Sequence, residues 1–341
     1  MSMLTQRQEL VLRLVVEGYV DTGDPVGSQW IAAQEGVDFS ASTVRNEFAA
    51  LETGGMLGQP HTSAGRVPTE RGVRHFVDRL LDGAESLAAG APVFEIEPVH
   101  REMEEVMRAA TESLAEVTEL LALVSAPPLG TEEILRIELI ALATSKLMVV
   151  LITSAGNVVR RVFEFVRPLD AGLVEWGTGF LNESLGGLPL GARQIRSRLD
   201  DQSLGPLERE FVGSIASVFF ELPAGSDTLF VGGAGHLVTA ERYRSMPGLD
   251  RLMNALEQRV AVLQMVHSLL DERGVYLRIG HENEVPELVG ASVVGANYGT
   301  PTRNLGAVSV IGPVRMDYPR AIASVRQAAA RLSDFVADVY A

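Results

Sequence analysis

Apolar residues in the first eighty positions recur at helical spacing, in short blocks separated by turn formers. Leu10, Val11, Leu14 and Val15 define a first helix, with Thr5 as its cap and Gln8 closing a capping box. Asp21-Thr22-Gly23-Asp24-Pro25 breaks it. Ser28 is positioned to cap a short second helix, Gln29 to Glu35, that stops at Gly36. Ser40 opens a third, running through Val44, Phe48 and Leu51 to Gly54-Gly55. Two short extended arms follow, Leu57 to Pro60 and Arg66 to Pro68, around the polar turn 61–65. Thr69 then caps a fourth helix carrying Val73, Phe76, Val77, Leu80 and Leu81.

The pattern changes after residue 82. Gly, Ala and Pro dominate 83–98, which reads as a linker. Over 99–125, Val106, Ala110, Leu114, Val117 and Leu121 fall on a near-heptad seam and predict one long helix. Such a seam packs either on the chain's own core or on a second copy, and spacing alone leaves both open. Three β-rich runs, Leu135–Leu142, Leu147–Thr153 and Val158–Val166, are separated by loops of hairpin length and predict an antiparallel meander. Residues 170–222 and 249–273 read as helical. Val275–Ile279, Ser292–Tyr298 and Gly306–Ile311 read as strands, and Asp317–Tyr340 as a closing helix with Pro319 in its first turn. The expected class is α+β and multidomain: a head over 1–82, a sheet domain from 126–167 and 246–341, and an inserted, mainly helical segment over 168–245.

Composition narrows the function. The 341 residues carry a net charge of −15, but 1–80 hold seven Arg against ten acidic residues, so most of the acidity lies elsewhere. Lys146 is the single lysine, which leaves planar, bidentate guanidinium groups as nearly all the cations. There is no cysteine, which excludes disulfides, cysteine-based zinc sites and thiol catalysis and fits a cytoplasmic location. The opening MSMLTQRQEL lacks a basic then apolar leader, and no run approaches the roughly 18–20 apolar residues that span a bilayer, so no membrane association is expected.

Two short helices joined by a tight turn and followed by a hairpin have the layout of a winged helix-turn-helix. The second of the pair enters the major groove of double-stranded DNA with its first turn facing the bases. That turn holds Ser40, Ser42, Thr43, Arg45 and Asn46. Arg45 is suited to a guanine edge and Asn46 to an adenine edge, while the hydroxyls suit phosphate or base. His61, Thr62, Ser63 and Arg66 in the expected wing, with Arg71 and Arg74 on the fourth helix, complete the candidate DNA-binding set. No catalytic residue, metal or cofactor is expected. Gly232-Gly233-Ala234-Gly235 lacks the spacing of a phosphate-binding loop, and His281, Glu282 and Asn283 form no metal or nucleophile pattern.

The stretches Tyr19 to Ser28, Ser42 to Glu47 and above all Gln59 to Thr69, with Arg278 to Asn283 and Gly312 to Tyr318 downstream, make the chain similar to the heat-inducible transcription repressors, the HrcA family. The resemblance runs over nearly the whole chain and is weakest over 168–245. It implies a winged-helix head, a GAF-like sheet domain and an inserted dimerising segment. It further implies repression of chaperone operons of the groES-groEL and dnaK type as a homodimer on an inverted repeat. Release on heat stress, with chaperonin as a further partner, belongs to the same implication. Arg66 matches the family's wing arginine and Arg45 its recognition-helix base. Trp30 departs from the smaller residue expected there. Two alternatives remain at this level: a metabolite-responsive repressor that senses through the sheet domain, and a hydrolase on that domain.

Overall fold

The computed structural model describes residues 4–61, 64–82, 103–127, 130, 132–220, 229–239, 243, 246, 248–258, 274–301 and 303–340. The expected linker 83–98 and the tail of the helix expected over 249–273 lie outside them.

The head follows the apolar blocks closely. Helices α1 (Gln6–Thr22), α2 (Ser28–Ala32) and α3 (Ala41–Thr53) precede a hairpin of β1 (Leu57–Gly58) and β2 (Val67–Pro68), and α4 (Glu70–Asp82) follows. The Thr5–Gln8 capping box is formed, and α1 ends at Gly23, whose φ of 75° suits a residue without Cβ. Ser28 lies inside α2 rather than before it. Extended Gly27 is the cap, its carbonyl accepting from Ile31 N at 3.2 Å. Val15, Ile31, Val44, Leu51 and Val77 share one buried core. Val26 pairs with Arg66 through two 2.9 Å backbone bonds, an antiparallel bridge that ties the segment after α1 to the second arm of the hairpin. Gly65 permits that approach, since a Cβ there would stand 2.3 Å from the Val26 carbonyl oxygen. Trp30 is accommodated by Gly18, over which its ring lies.

A five-stranded antiparallel sheet forms the body, in the order β7 (Leu229–Gly232), β3 (Leu121–Ser125), β10 (Arg303–Pro313), β9 (Ala291–Thr300) and β8 (Val275–Ile279). Helix α5 (Met103–Thr118) packs on β3 and β7. Helix α11 (Tyr318–Tyr340) packs on β9, and the two helices touch. Short helices α9 (Ala234–Thr239) and α10 (Leu249–Gln258) complete this part. Buried hydroxyls tie the layers together: Tyr298 donates to the Ser125 carbonyl, and Tyr318 donates to Val314 O at 2.7 Å and meets Ser292 Oγ at 2.8 Å. Burial pushes the Tyr318 phenol well above its ordinary range, so it stays a donor.

The remaining unit is the meander β4 (Ile134–Ala143), β5 (Lys146–Thr153) and β6 (Val158–Glu164), with α6 (Ala171–Leu185), α7 (Arg193–Leu199) and α8 (Pro206–Ile215). Its core is separate from that of head and body: Ile137, Val149 and Leu151 pack with Leu181, Leu185, Phe211 and Ile215. Strand β4 lies at the edge of this sheet. Asn182 of α6 accepts from Ile137 N at 2.9 Å and donates to Ile137 O at 2.6 Å, satisfying backbone groups that have no strand partner.

Three expectations are corrected. The meander forms a sheet of its own, so the insertion begins near residue 133 rather than at 168, and it ends before β7, which pairs with β3 in the body sheet rather than lying in a segment that runs to 245; alternation shows that a strand has an apolar face, but not which helices cover it. The single helix expected over 99–125 is described from Met103 and stops at Thr118, and Leu121 lies in β3. The seam is also not a free dimer face. Val106, Ala110, Leu114 and Leu121 are fully buried in the chain's own core, Val117 is half-buried, and the partner of the seam is the body sheet.

Candidate nucleic-acid interface

Helix α3 presents two distinct faces. Val44, Phe48 and Leu51 point into the head core. Ser42, Arg45, Asn46 and Ala49 fall at i, i+3, i+4 and i+7 and are exposed, so they form one continuous outward strip. Ser40 is the N-cap: its hydroxyl accepts from Thr43 N at 3.3 Å and lies 3.2 Å from the half-buried Thr43 hydroxyl. The partial positive charge at this helix start is therefore next to the strip. Arg45 makes no ion pair with any described residue, so its guanidinium is available to a ligand.

The hairpin is less uniform. His61 is exposed, and Ala64 N donates to His61 O at 2.9 Å in the turn; Thr62 and Ser63 fall outside the described residues. Arg66 lies inward, with its side chain 17% exposed, pairing with Glu52 of α3 at 3.0 Å and standing 5.9 Å from the Phe48 ring centre. It thus fastens the hairpin to α3 from behind. Arg71 is exposed at the start of α4. Arg74 turns away from α3 altogether: its Nη1 donates to Leu277 O at 3.0 Å and to Glu282 Oε2 at 2.9 Å in the body. The structure therefore brings Ser40, Ser42, Thr43, Arg45 and Asn46 together on α3, leaves His61 and Arg71 exposed elsewhere on the head, and gives Arg66 and Arg74 protein partners.

Sequence reading missed the partners that organise these cations. Glu52 holds Arg66. Glu47 pairs with Arg7 at 3.5 Å, and the Arg7 guanidinium stands 5.3 Å from the Phe39 ring centre. Glu9 gathers His75 and Arg79 at 3.0 and 3.3 Å. These pairings cross between elements, and local spacing carries no signal for them. Among the described residues no cluster of His or acidic side chains is arranged to hold a metal, and no helix is long and apolar enough to cross a membrane.

Comparison with known proteins agrees with this architecture. The profile described as "HrcA protein C terminal domain" matches residues 104–322. The heat-inducible transcription repressor HrcA of Rhodococcus jostii is 35% identical over 99% of this chain and 100% of its own length. That of Mycolicibacterium vanbaalenii is 36% identical over 95% of this chain and 96% of its own. A crystal structure titled as a hypothetical protein at 2.2 Å resolution shares the fold, with a TM-score of 0.69 and 24% identity over 99% of this chain and 100% of that one. A profile match over more than half of the chain, joined to relatives of this similarity along nearly its full length, places the chain in the HrcA family of heat-inducible transcription repressors, which are regulators and not enzymes.

Proposed function

We propose that this repressor reads an inverted-repeat operator at heat-shock chaperone genes as a homodimer, with residues 4–82 as a winged helix-turn-helix. The observation that carries this reading is the exposed strip of α3, Ser42, Arg45, Asn46 and Ala49, beside a helix start and with its opposite face packed into the head. The hairpin supplies the wing, with His61 at its tip and Arg66 as the strut that sets its angle. The antiparallel sheet backed by α5 and α11 is the GAF-like body.

Dimerisation is assigned to the outer face of the meander. By register, Ile140, Met148, Val150, Ile152, Val158 and Val162 share the side that α6 leaves uncovered, together with Arg136, Glu138 and Arg160. Ile140, Val158 and Val162 are 43%, 56% and 54% exposed. Ion pairs Arg136–Glu138 and Lys146–Glu164, at 2.8 and 3.4 Å, border this face. An apolar patch with a charged rim suits a two-fold interface. Val162→Glu is expected to leave the fold intact, because the side chain points outward, and to shift the chain towards monomer in sedimentation velocity. An unchanged dimer would place the interface elsewhere.

The functional test is a mobility shift with a duplex carrying both operator arms and one from which an arm has been replaced. Two linked heads make the second contact intramolecular, so loss of one arm is expected to weaken binding by on the order of a hundredfold. Equal affinity for the two duplexes would refute the dimeric reading mode.

A further inference from the structure

The turn after β8 carries the Arg278 to Asn283 motif, which plays no part in the proposed DNA contacts. The structure shows it as a socket for α4. Asn283, buried, donates to Gly280 O, Leu288 O and Ala291 O at 2.9, 3.0 and 2.9 Å, which fixes the path of the turn. Glu282 Oε2 accepts from Ile279 N at 2.9 Å, so this carboxylate is held before anything docks on it. Gly280 has a φ of 53° and leaves room that Glu70 of α4 fills; a Cβ there would stand 2.1 Å from Glu70 Oε1.

Two residues of α4, one turn apart, enter this socket. The Glu70 carboxylate accepts from His281 N at 3.2 Å and lies 3.0 Å from His281 Nδ1. Arg74 reaches Leu277 O and Glu282 Oε2 and also pairs with Asp78 at 3.2 Å. At its start α4 is tied to the reading head, since Thr69 Oγ1 donates to Gly55 O at 2.7 Å, immediately after α3, and accepts from Gly72 N at 3.1 Å. Beside the latch, α1 and the body enclose a cleft of about 630 Å³ lined by Val16, Tyr19, Val20, Arg251 and Arg315. Polar contacts at one edge of a cleft resist rotation of the head better than apolar packing, because they are directional.

We infer that Glu70 and Arg74, seated in the 277–283 socket, are positioning residues that fix the angle of the DNA-reading head on the body and so set the operator arm spacing the dimer accepts. The inference rests on the dimeric, operator-reading role proposed above. In a dimer, the affinity gained from the second arm depends on how narrowly the second head is held over it. A head that loses these directional contacts is held only by the apolar core it shares with the body, so it samples a wider range of angles, accepts altered spacings and loses affinity for the native one.

The test compares the full-length chain with Arg74→Ala and with His281→Ala, the latter at a side chain 80% exposed and remote from the core. Affinity is measured for the operator and for versions with the spacer lengthened by five base pairs, half a helical turn. The wild-type preference for the native spacing is expected to fall by on the order of tenfold in Arg74→Ala and by less in His281→Ala. Discrimination between matched and mismatched arms at native spacing is retained. Unchanged spacing preference, or tighter operator binding in either variant, would overturn the inference, the latter because it would make the contact inhibitory. A second measurement needs no DNA. The chain has no cysteine, so Arg13→Cys on α1 and Arg331→Cys on α11 give two unique spin-label sites. Doubly labelled chain is mixed with excess unlabelled chain, so that the distance read is within one protomer. A single narrow distribution that broadens with Arg74→Ala is expected; a distribution equally narrow in the variant would refute the latch. If the wild type binds no operator, the functional reading fails while this distance still reports on the socket.

Discussion

Arg45→Ala is expected to lower affinity for the operator by about fivefold to somewhat over a hundredfold, the consequence of losing a bidentate base contact worth about 1–3 kcal/mol. The loss should be confined to duplexes with the preferred base pair opposite this side chain, so that operator and variant operator become nearly equal. The slope of affinity against salt should hardly change, because a base contact releases few counterions. Arg71→Ala supplies the contrast. Its exposed guanidinium at the start of α4 suits phosphate, so its removal should weaken binding to all duplexes alike and reduce the salt slope by about one. Anisotropy titrations of both variants on the two duplexes distinguish these behaviours. Undiminished discrimination in Arg45→Ala would remove α3 from the role of recognition helix.

Leu114→Ala carries the largest expected effect on stability. This side chain is 0% exposed where α5 meets the body sheet, so its truncation leaves a cavity that the rigid sheet cannot close. The expected cost is about 2–5 kcal/mol, read as a lower midpoint in denaturant with an unchanged slope for the unit that contains the sheet. Self-association of the folded chain should not change. That combination separates a core seam from a coiled-coil interface: a variant that dissociated without losing stability would return α5 to the dimer contact. Val162→Glu is expected to behave in the opposite way, with association lost and stability kept.

Much of the head was legible because its rules are local. Thr5 with Gln8, Ser40 with Thr43, and Gly23 after α1 act within a few residues of chain, and the apolar spacing of α3 separates its inward from its outward face without tertiary knowledge. Three strands of the body, β8, β9 and β10, were found for the same reason, whereas β3 reads as the end of a helix and β7 falls in a segment that reads as mainly helical. What sequence did not disclose is which layer meets which. The face of β5 that holds Leu147, Val149 and Leu151 alternates in the same way whether α6 or the body helices cover it, so spacing alone does not separate the meander from the body sheet. The heptad-like seam of α5 is likewise satisfied by any apolar partner. The candidate site divides along the same line. Arg45 and Asn46 are placed by helix periodicity, whereas Arg66 and Arg74 are placed by Glu52 and Glu282, acids 14 and 208 positions away. Charge type identified those cations, but only the fold reveals where each is held.

The central claim, that an exposed strip on α3 gives sequence-specific operator binding by a dimer, is tested most directly by fluorescence anisotropy of the wild-type chain. Two labelled duplexes are needed, one with an inverted repeat from a chaperone promoter and one scrambled, each titrated across a salt series. The account predicts saturable binding to the repeat at two chains per duplex, weaker binding to the scrambled duplex by on the order of a thousandfold, and affinity that falls steeply with salt for both. Equal affinity for the two duplexes at every salt concentration would contradict it.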